Sequence, residues 1–344
     1  MRKILALVLA VLMVLSMAAC GGSGSETTQA QTNGTGATDA TNATDGTQAS
    51  GEKFVVGVCQ LMPHGALDLA TQGFVDALTA ELGEENVEII VKKAAGDSTT
   101  CIPIIDDFVA DEVDLIMANA TPALVTAANA TEDIPILGTS ITEYGVALEL
   151  EDFNGTVGGN ISGTSDLAPL DKQAEMILKW FPDAKKVGLL YCSAEPNSLY
   201  QVNEVQKYLE AKGITCTQYP FADTNELQAV TQKASDESDV IYIPTDNTVA
   251  GATGTVDQVC RGVTPVIAGE ESICKGCGVA SLSISYYDLG VTTAKMAAKV
   301  LRGEADISTM EIGYAETQTP LYNPDICESF GLTPLEGYVA IETE

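Results

Sequence analysis

Few residues in this 344-residue chain are equipped to break bonds. His64 is its single histidine, set in Met62-Pro63-His64-Gly65 just ahead of a helical pattern. A serine nucleophile needs a base beside it. No Gly-x-Ser-x-Gly, Walker or Gly-x-Gly-x-x-Gly string opens a helix after a strand. Glu270 and Glu271 are adjacent, so on a helix their carboxylates diverge. The pattern points away from an enzyme. Cys274-Lys-Gly-Cys277 has the spacing of a redox centre or half a zinc site, yet no second ligand pair accompanies it. A local disulfide and two reduced thiols both remain open there, and nothing asks for a metal or a cofactor. Residues suited to binding are better placed. Thr121 and Ser198 stand at helix starts, where backbone N–H groups receive carboxylates. Asp246, at a strand end, can accept an ammonium in a charge-assisted bond. For all three, helix capping is the plain alternative.

The elements that must position these residues alternate. Phe54 to Val58 reads as a strand, Ala66 to Leu82 as a helix, Val87 to Val91 as a strand, Ile102 to Ala110 as a helix and Asp114 to Met117 as a strand. Thr121-Pro122 opens another helix, with Thr able to cap and Pro suited to the first position, and Ile134 to Leu137 is again a strand. The rhythm restarts near Asp166. Leu170 to Phe181, Ser198 to Lys212, Thr224 to Ser235, Thr248 to Val259 and Tyr287 to Leu301 read as helices. Lys186 to Tyr191, Thr215 to Tyr219, Val240 to Pro244, Pro265 to Ala268 and Val279 to Ile284 read as strands. Strands separated by helices give parallel βαβ units. Two such runs predict an α/β protein of two doubly wound parallel-sheet lobes joined by hinge strands. Ligands bind beyond the carboxyl ends of such strands. That rule selects Gln60 to His64, Asn119 to Thr121, Gly138 to Thr142, Cys192 to Ser198, Thr245 to Asn247, Gly269 to Glu271 and Ser283 to Tyr287 as the rims of a cleft.

Composition narrows the partners. The formal net charge is −31, which argues against nucleic acid, whose phosphates demand basic patches, and for a solvated acidic surface. The first residues divide as an export signal: Arg2 and Lys3, an apolar run from Ile4 to Leu15, then Met17-Ala18-Ala19 before Cys20. The run is short for a membrane span, which needs about 20 residues. Cys directly after Ala-Ala resembles the bacterial lipobox, which implies cleavage after residue 19 and a lipid on Cys20. From Gly21 to about Gly51 the chain has no aromatic residue and no Leu, Ile or Val. Residues 20–52 are therefore expected to form a flexible tether spanning roughly 30 Å. Expected localisation is extracytoplasmic, with the membrane reached only through the lipid.

A set of strings, in order along the chain, resembles one family. In the first lobe they are Gly57-Val58-Cys59-Gln60, His64-Gly65-Ala66-Leu67-Asp68, Gly73-Phe74, Ala95-Gly96-Asp97 and Ala120-Thr121-Pro122-Ala123. In the second they include Ser162-Gly163-Thr164-Ser165-Asp166, Gly188-Leu189-Leu190-Tyr191, Glu195-Pro196-Asn197-Ser198 and Pro244-Thr245-Asp246-Asn247. Tyr286-Tyr287-Asp288-Leu289-Gly290 and Val300-Leu301-Arg302-Gly303-Glu304 complete the set. Together these resemble the ABC-transporter substrate-binding proteins of the tryptophan/tyrosine type, with a type 1 periplasmic-binding-protein-like fold. The resemblance implies a monomer that captures an aromatic amino acid for a membrane permease. It places ligand contacts on Gln60, Thr121, Ser140, Asn197, Ser198 and Asp246; Tyr191 and Tyr287 are candidate walls for a ring, with core packing as the plain alternative. It also implies discontinuous lobes: residues 53–164 with about 285–306, and 165–284 with about 307–344. Thr142-Glu143-Tyr144 departs from the family's Thr-Asp-Pro, which puts the pocket's shape near that loop in question. Other ligands of similar folds (a branched-chain amino acid, a nucleoside, a sugar) and a ligand-sensing role at a receptor are the alternatives. An exported hydrolase is a third.

Overall fold

A computed structural model describes residues 53–315 and 317–342. The expected signal, the expected lipidation at Cys20 and the expected tether lie outside the described residues.

The first sheet has six strands in the order β11-β5-β4-β3-β1-β2. They are β1 (Phe54–Gln60), β2 (Val87–Lys93), β3 (Leu115–Asn119), β4 (Ile136–Ile141), β5 (Ile161–Ser165) and β11 (Gly313–Tyr314). Helices α1 (Gly65–Leu82), α2 (Ser98–Ala110), α3 (Thr121–Ala130) and the short α4 (Tyr144–Ala147) connect them. Strands β3 and β4 are buried along their whole length, as their unbroken runs of apolar and small residues require when helices cover both faces. The edge strand β2 is instead buried only at Val87.

The second sheet has seven strands in the order β13-β12-β10-β9-β8-β6-β7. They are β6 (Lys186–Cys192), β7 (Thr215–Phe221), β8 (Val240–Ile243), β9 (Val266–Ala268), β10 (Ala280–Ser283), β12 (Thr319–Tyr322) and β13 (Val339–Ala340). Its helices are α5 (Leu170–Trp180), α6 (Pro196–Ala211), α7 (Thr224–Glu237), α8 (Asn247–Ala250), α9 (Thr253–Cys260), α10 (Glu271–Cys277) and α12 (Pro324–Ser329). The expected helix from Thr248 to Val259 is broken into α8 and α9. Asp246 caps the first piece by accepting from Val249 N–H. The expected start of α2 at Ile102 moves back to Ser98, because Asp97 accepts from Thr100 N–H and caps there.

The chain passes between the sheets after β5, before α11 (Tyr286–Leu301), and between β11 and β12. Helix α11 returns to the first lobe and packs on α1 through facing glycines. A methyl on Gly73 would strike the Tyr287 carbonyl, and one on Gly290 the Ala70 carbonyl. The expected assignment of residues from 307 onward to the second lobe is corrected. β11 runs parallel to β5, pairing Gly313 with Thr164 and Tyr314 with Ser165, so the chain crosses back only after residue 314. The signal was too short to read: a two-residue strand has no periodicity.

Candidate functional site

The carboxyl ends of the two sheets face each other across a cleft. Its wider part is a cavity of about 450 Å³ bounded by the ends of β1, β2 and β3 on one side and of β6, β7 and β8 on the other. Leu61, Met62, Pro122 and Val125 give the first lobe an apolar wall, and Ala194 and Pro196 oppose it. Nearer the hinge lies a void of about 10 Å³ bounded by His64, Asp166, Asp246, Glu270 and Tyr286. Neither space is lined by Lys or Arg.

On the first lobe, Gln60 ends β1 with its amide fully engaged. Nε2 donates to Met62 O and Asp68 Oδ1, both at 2.7 Å, and Oε1 accepts from Thr71 Oγ1 at 2.7 Å. Gln60 therefore fixes the β1–α1 turn within its own lobe. Asn119 ends β3 and donates to Leu67 O and Thr71 Oγ1, leaving Oδ1 without a partner. Thr121 opens α3, is buried and lines the larger cavity. Ser140 sits where the β4–β5 register shifts, at φ 55°, with a buried Oγ that has no partner. Such a bulge re-aims a side chain at a strand end.

On the second lobe one buried carboxylate organises the rim. Glu195 Oε2 accepts from Asn247 N (3.0 Å), Asn247 Nδ2 (2.7 Å) and Asn197 Nδ2 (3.2 Å), and Oε1 from Thr248 N (2.9 Å) and Thr248 Oγ1 (2.8 Å). Asn197 also donates to Thr245 O at 3.0 Å, and its Oδ1 is buried without a partner. Ser198 is buried beside it. Asp246 Oδ2 accepts from Cys192 N at 2.7 Å and Oδ1 from Val249 N at 2.9 Å. Burial, then repulsion from Glu195, pushes the Asp246 carboxyl up to about 8.

The lobes meet at His64. Asn247 must turn its Nδ2 toward Glu195, so its Oδ1 faces His64, and His64 Nε2 is the donor across the cleft at 3.3 Å. His64 Nδ1 is buried without a partner. At the hinge, Tyr286 O–H donates to Asp166 Oδ2 at 3.0 Å, while Asp166 Oδ1 has no partner. Burial pushes the Asp166 carboxyl up to about 6, opposed by the hydroxyls of Tyr286 and Thr142, with the charge of Glu270 adding to the rise. Glu270 caps α10, accepting from Ile273 N, Ser272 N and Ser272 Oγ.

Thr121, Ser140, Asn197, Ser198 and Asp246 are thus gathered at the facing rims as buried groups. Tyr191 and Tyr287 are elsewhere. Tyr191 packs in the second-lobe core with its O–H on Gln218 Oε1, and Tyr287 reaches Asp76 Oδ2 on the outer side of α1. Along β6 successive side chains take opposite faces, and Tyr191 falls on the core face. Tyr144 also avoids the cleft: it is buried, close to both Gly138 and Gly163, and donates to Thr164 O. Among the described residues all eight cysteines are free, and Cys274 and Cys277 are buried thiols on α10 that donate to Gly278 O and Ile273 O. Asp166, Glu195, Glu270, His64 and Tyr286 were not singled out as ligand contacts. Four of these fall in the rim segments that the strand-end rule selects.

The family described as ABC transporter substrate binding protein matches residues 55–338. A tyrosine-binding protein of Clostridioides difficile (strain R20291) is 34% identical over 256 residues, covering 73% of each chain. The ABC domain from Streptococcus pneumonia in complex with L-Trp is 32% identical, with a TM-score of 0.79 over 84% of this chain and 100% of that one. The ligand-free, open structure of a substrate binding protein with adhesive properties from Clostridium difficile is 33% identical but superposes less well, with a TM-score of 0.66 over 85% of this chain and 100% of that one. At nearly equal identity the arrangement seen here is thus nearer the tryptophan complex, in accord with the His64–Asn247 bond that joins the lobes. With a match along nearly the whole folded body and two lobes whose strand ends enclose a cleft, the chain belongs to the ABC transporter substrate-binding proteins.

Proposed function

We propose that the cleft captures an aromatic L-amino acid, tryptophan or tyrosine, and that the closed protein delivers it to an ABC permease. The observation that carries this reading is the cavity of about 450 Å³ with apolar walls, together with a hinge void where His64 and Asp166 keep unpartnered buried polar atoms. It stands in a chain whose relatives are a tyrosine-binding protein and a tryptophan complex. Met62, Pro122 and Pro196 offer faces for a ring. The ligand carboxylate meets the N-termini of α3 and α6, where the Thr121 hydroxyl and the backbone N–H groups of the first turns can donate. Because no Lys or Arg lines the cleft and the chain is acidic, a zwitterion enters where a simple anion is repelled. Hinge closure alone completes such a site, with no bond chemistry.

Calorimetry with Trp, Tyr, Phe, Leu and a nucleoside tests the reading. Tight binding of Trp or Tyr, recovered chemically unchanged, is expected; binding of the nucleoside alone overturns it. We further propose that the mature protein is a monomer held at the outer membrane face by lipid on Cys20. A Cys20→Ser variant is then expected in the aqueous phase of a detergent partition while the parent enters the detergent phase. Partition of both into water overturns the anchor.

A further inference from the structure

The void at the hinge differs from the cavity beside it in size and in charge. About 10 Å³ is the space of one water-sized group, and a primary ammonium is of that size. Three carboxylates surround it from separate elements: Asp166 after β5, Asp246 after β8 and Glu270 after β9. Two of them are already committed. Both oxygens of Asp246 accept backbone N–H groups, and both oxygens of Glu270 cap α10. Asp166 differs. It is 4% exposed, Tyr286 holds Oδ2, and Oδ1 has no partner. A buried carboxylate oxygen left without a donor is expensive unless a cation meets it. No Lys or Arg lines the void, and the described residues contain no group of three or more His, Cys, Asp or Glu arranged to hold a metal ion.

We propose that the α-ammonium group of the bound amino acid enters this void and donates to Asp166 Oδ1, with Tyr286 holding the carboxylate in place. The proposal rests on the amino-acid reading above and moves the ammonium contact from Asp246, where the sequence places it, to the hinge. Ligand binding and hinge position are thereby joined, since Asp166 follows the first crossing between the lobes and Tyr286 the second.

The test compares L-tryptophan and L-tyrosine with indole-3-propionate and 3-(4-hydroxyphenyl)propionate, which lack only the ammonium. Wild-type protein is expected to prefer the amino acids by on the order of 100-fold, the loss of one charge-assisted bond in a desolvated site. In Asp166→Asn, which still accepts from Tyr286, that preference is expected to fall below about tenfold while affinity for the propionates is kept. Tyr286→Phe, which leaves the charge but frees the carboxylate, is expected to weaken amino acids and not propionates. An undiminished preference in Asp166→Asn, or in Tyr286→Phe should the first variant fail to fold, overturns the proposal and leaves the void to water. Wild-type binding to none of these amino acids would instead overturn the function proposed above.

Discussion

Replacing Glu195 with Gln removes one charge and changes one atom, yet it strikes the residue on which the second-lobe rim is built. Five donors converge on this carboxylate, which is 5% exposed. The Gln oxygen takes the three-donor position, so the new NH₂ faces Thr248. Thr248 Oγ1 can rotate to accept, but Thr248 N–H loses its partner at a cost of about 1–3 kcal/mol. The other four bonds fall from charge-assisted to neutral, roughly halving each, for a further ~2–4 kcal/mol. Relief of carboxylate burial and of its repulsion on Asp246 offsets part of this. The net expectation is about 2–3 kcal/mol of stability lost. Tryptophan or tyrosine affinity should fall about tenfold, because Asn197 and the His64 partner Asn247 are then held by weaker, neutral bonds. Urea unfolding with and without ligand, beside calorimetry, measures both. An unchanged midpoint with unchanged affinity would refute the view that Glu195 organises the rim.

Asp166 gives a pH dependence. Its folded carboxyl holds a proton up to about 6, whereas the ordinary value is 3.8, so unliganded stability is present at low pH and declines as pH rises from about 4 through 6. At about 1.36 kcal/mol per pH unit the decline reaches about 3 kcal/mol by pH 7; Asp246 extends the window toward 8. Urea midpoints at pH 5 and 8 should differ more in wild type than in Asp166→Asn, and equal slopes count against the assignment. Amino-acid affinity should rise across the same window, since only ionised Asp166 meets an ammonium; calorimetry at pH 5 and 7 reads this. Gly290→Ala should destabilise by several kcal/mol, because its methyl meets the Ala70 carbonyl on α1; a thermal midpoint within a degree of wild type contradicts that packing. Finally, reducing agent should leave the unfolding midpoint unchanged, and thiol reagents should react only slowly with the native fold, as seven of the eight described cysteines are buried.

Much of the framework was legible because burial leaves a mark on composition. Strands such as β3 and β4, covered on both faces, read as unbroken runs of apolar and small residues, and the helices between them announced parallel units. The strand-end rule then selected the rim segments that carry His64, Thr121, Ser140, Glu195, Asp246 and Glu270. What it could not supply was the direction and occupancy of each side chain. Gln60 has the chemistry of a ligand contact but spends its whole amide on Met62, Asp68 and Thr71. Tyr191 has the ring of a stacking wall but faces the core. The two-residue β11 joined the first sheet without any periodic signal.

The order of elements, the two lobes and the segments that form the cleft were determined by sequence, since each depends on local pattern and on where strands end. Which atoms remain free within that cleft was decided by tertiary structure. The partners that decide it are far apart along the chain: Glu195 and Asn247 by 52 residues, Asp166 and Tyr286 by 120, His64 and Asn247 by 183. A polar group buried with its bonds complete holds the fold; one buried with a bond unmade at the cleft, as at Asp166, is a candidate for a ligand contact, and only the folded chain distinguishes them.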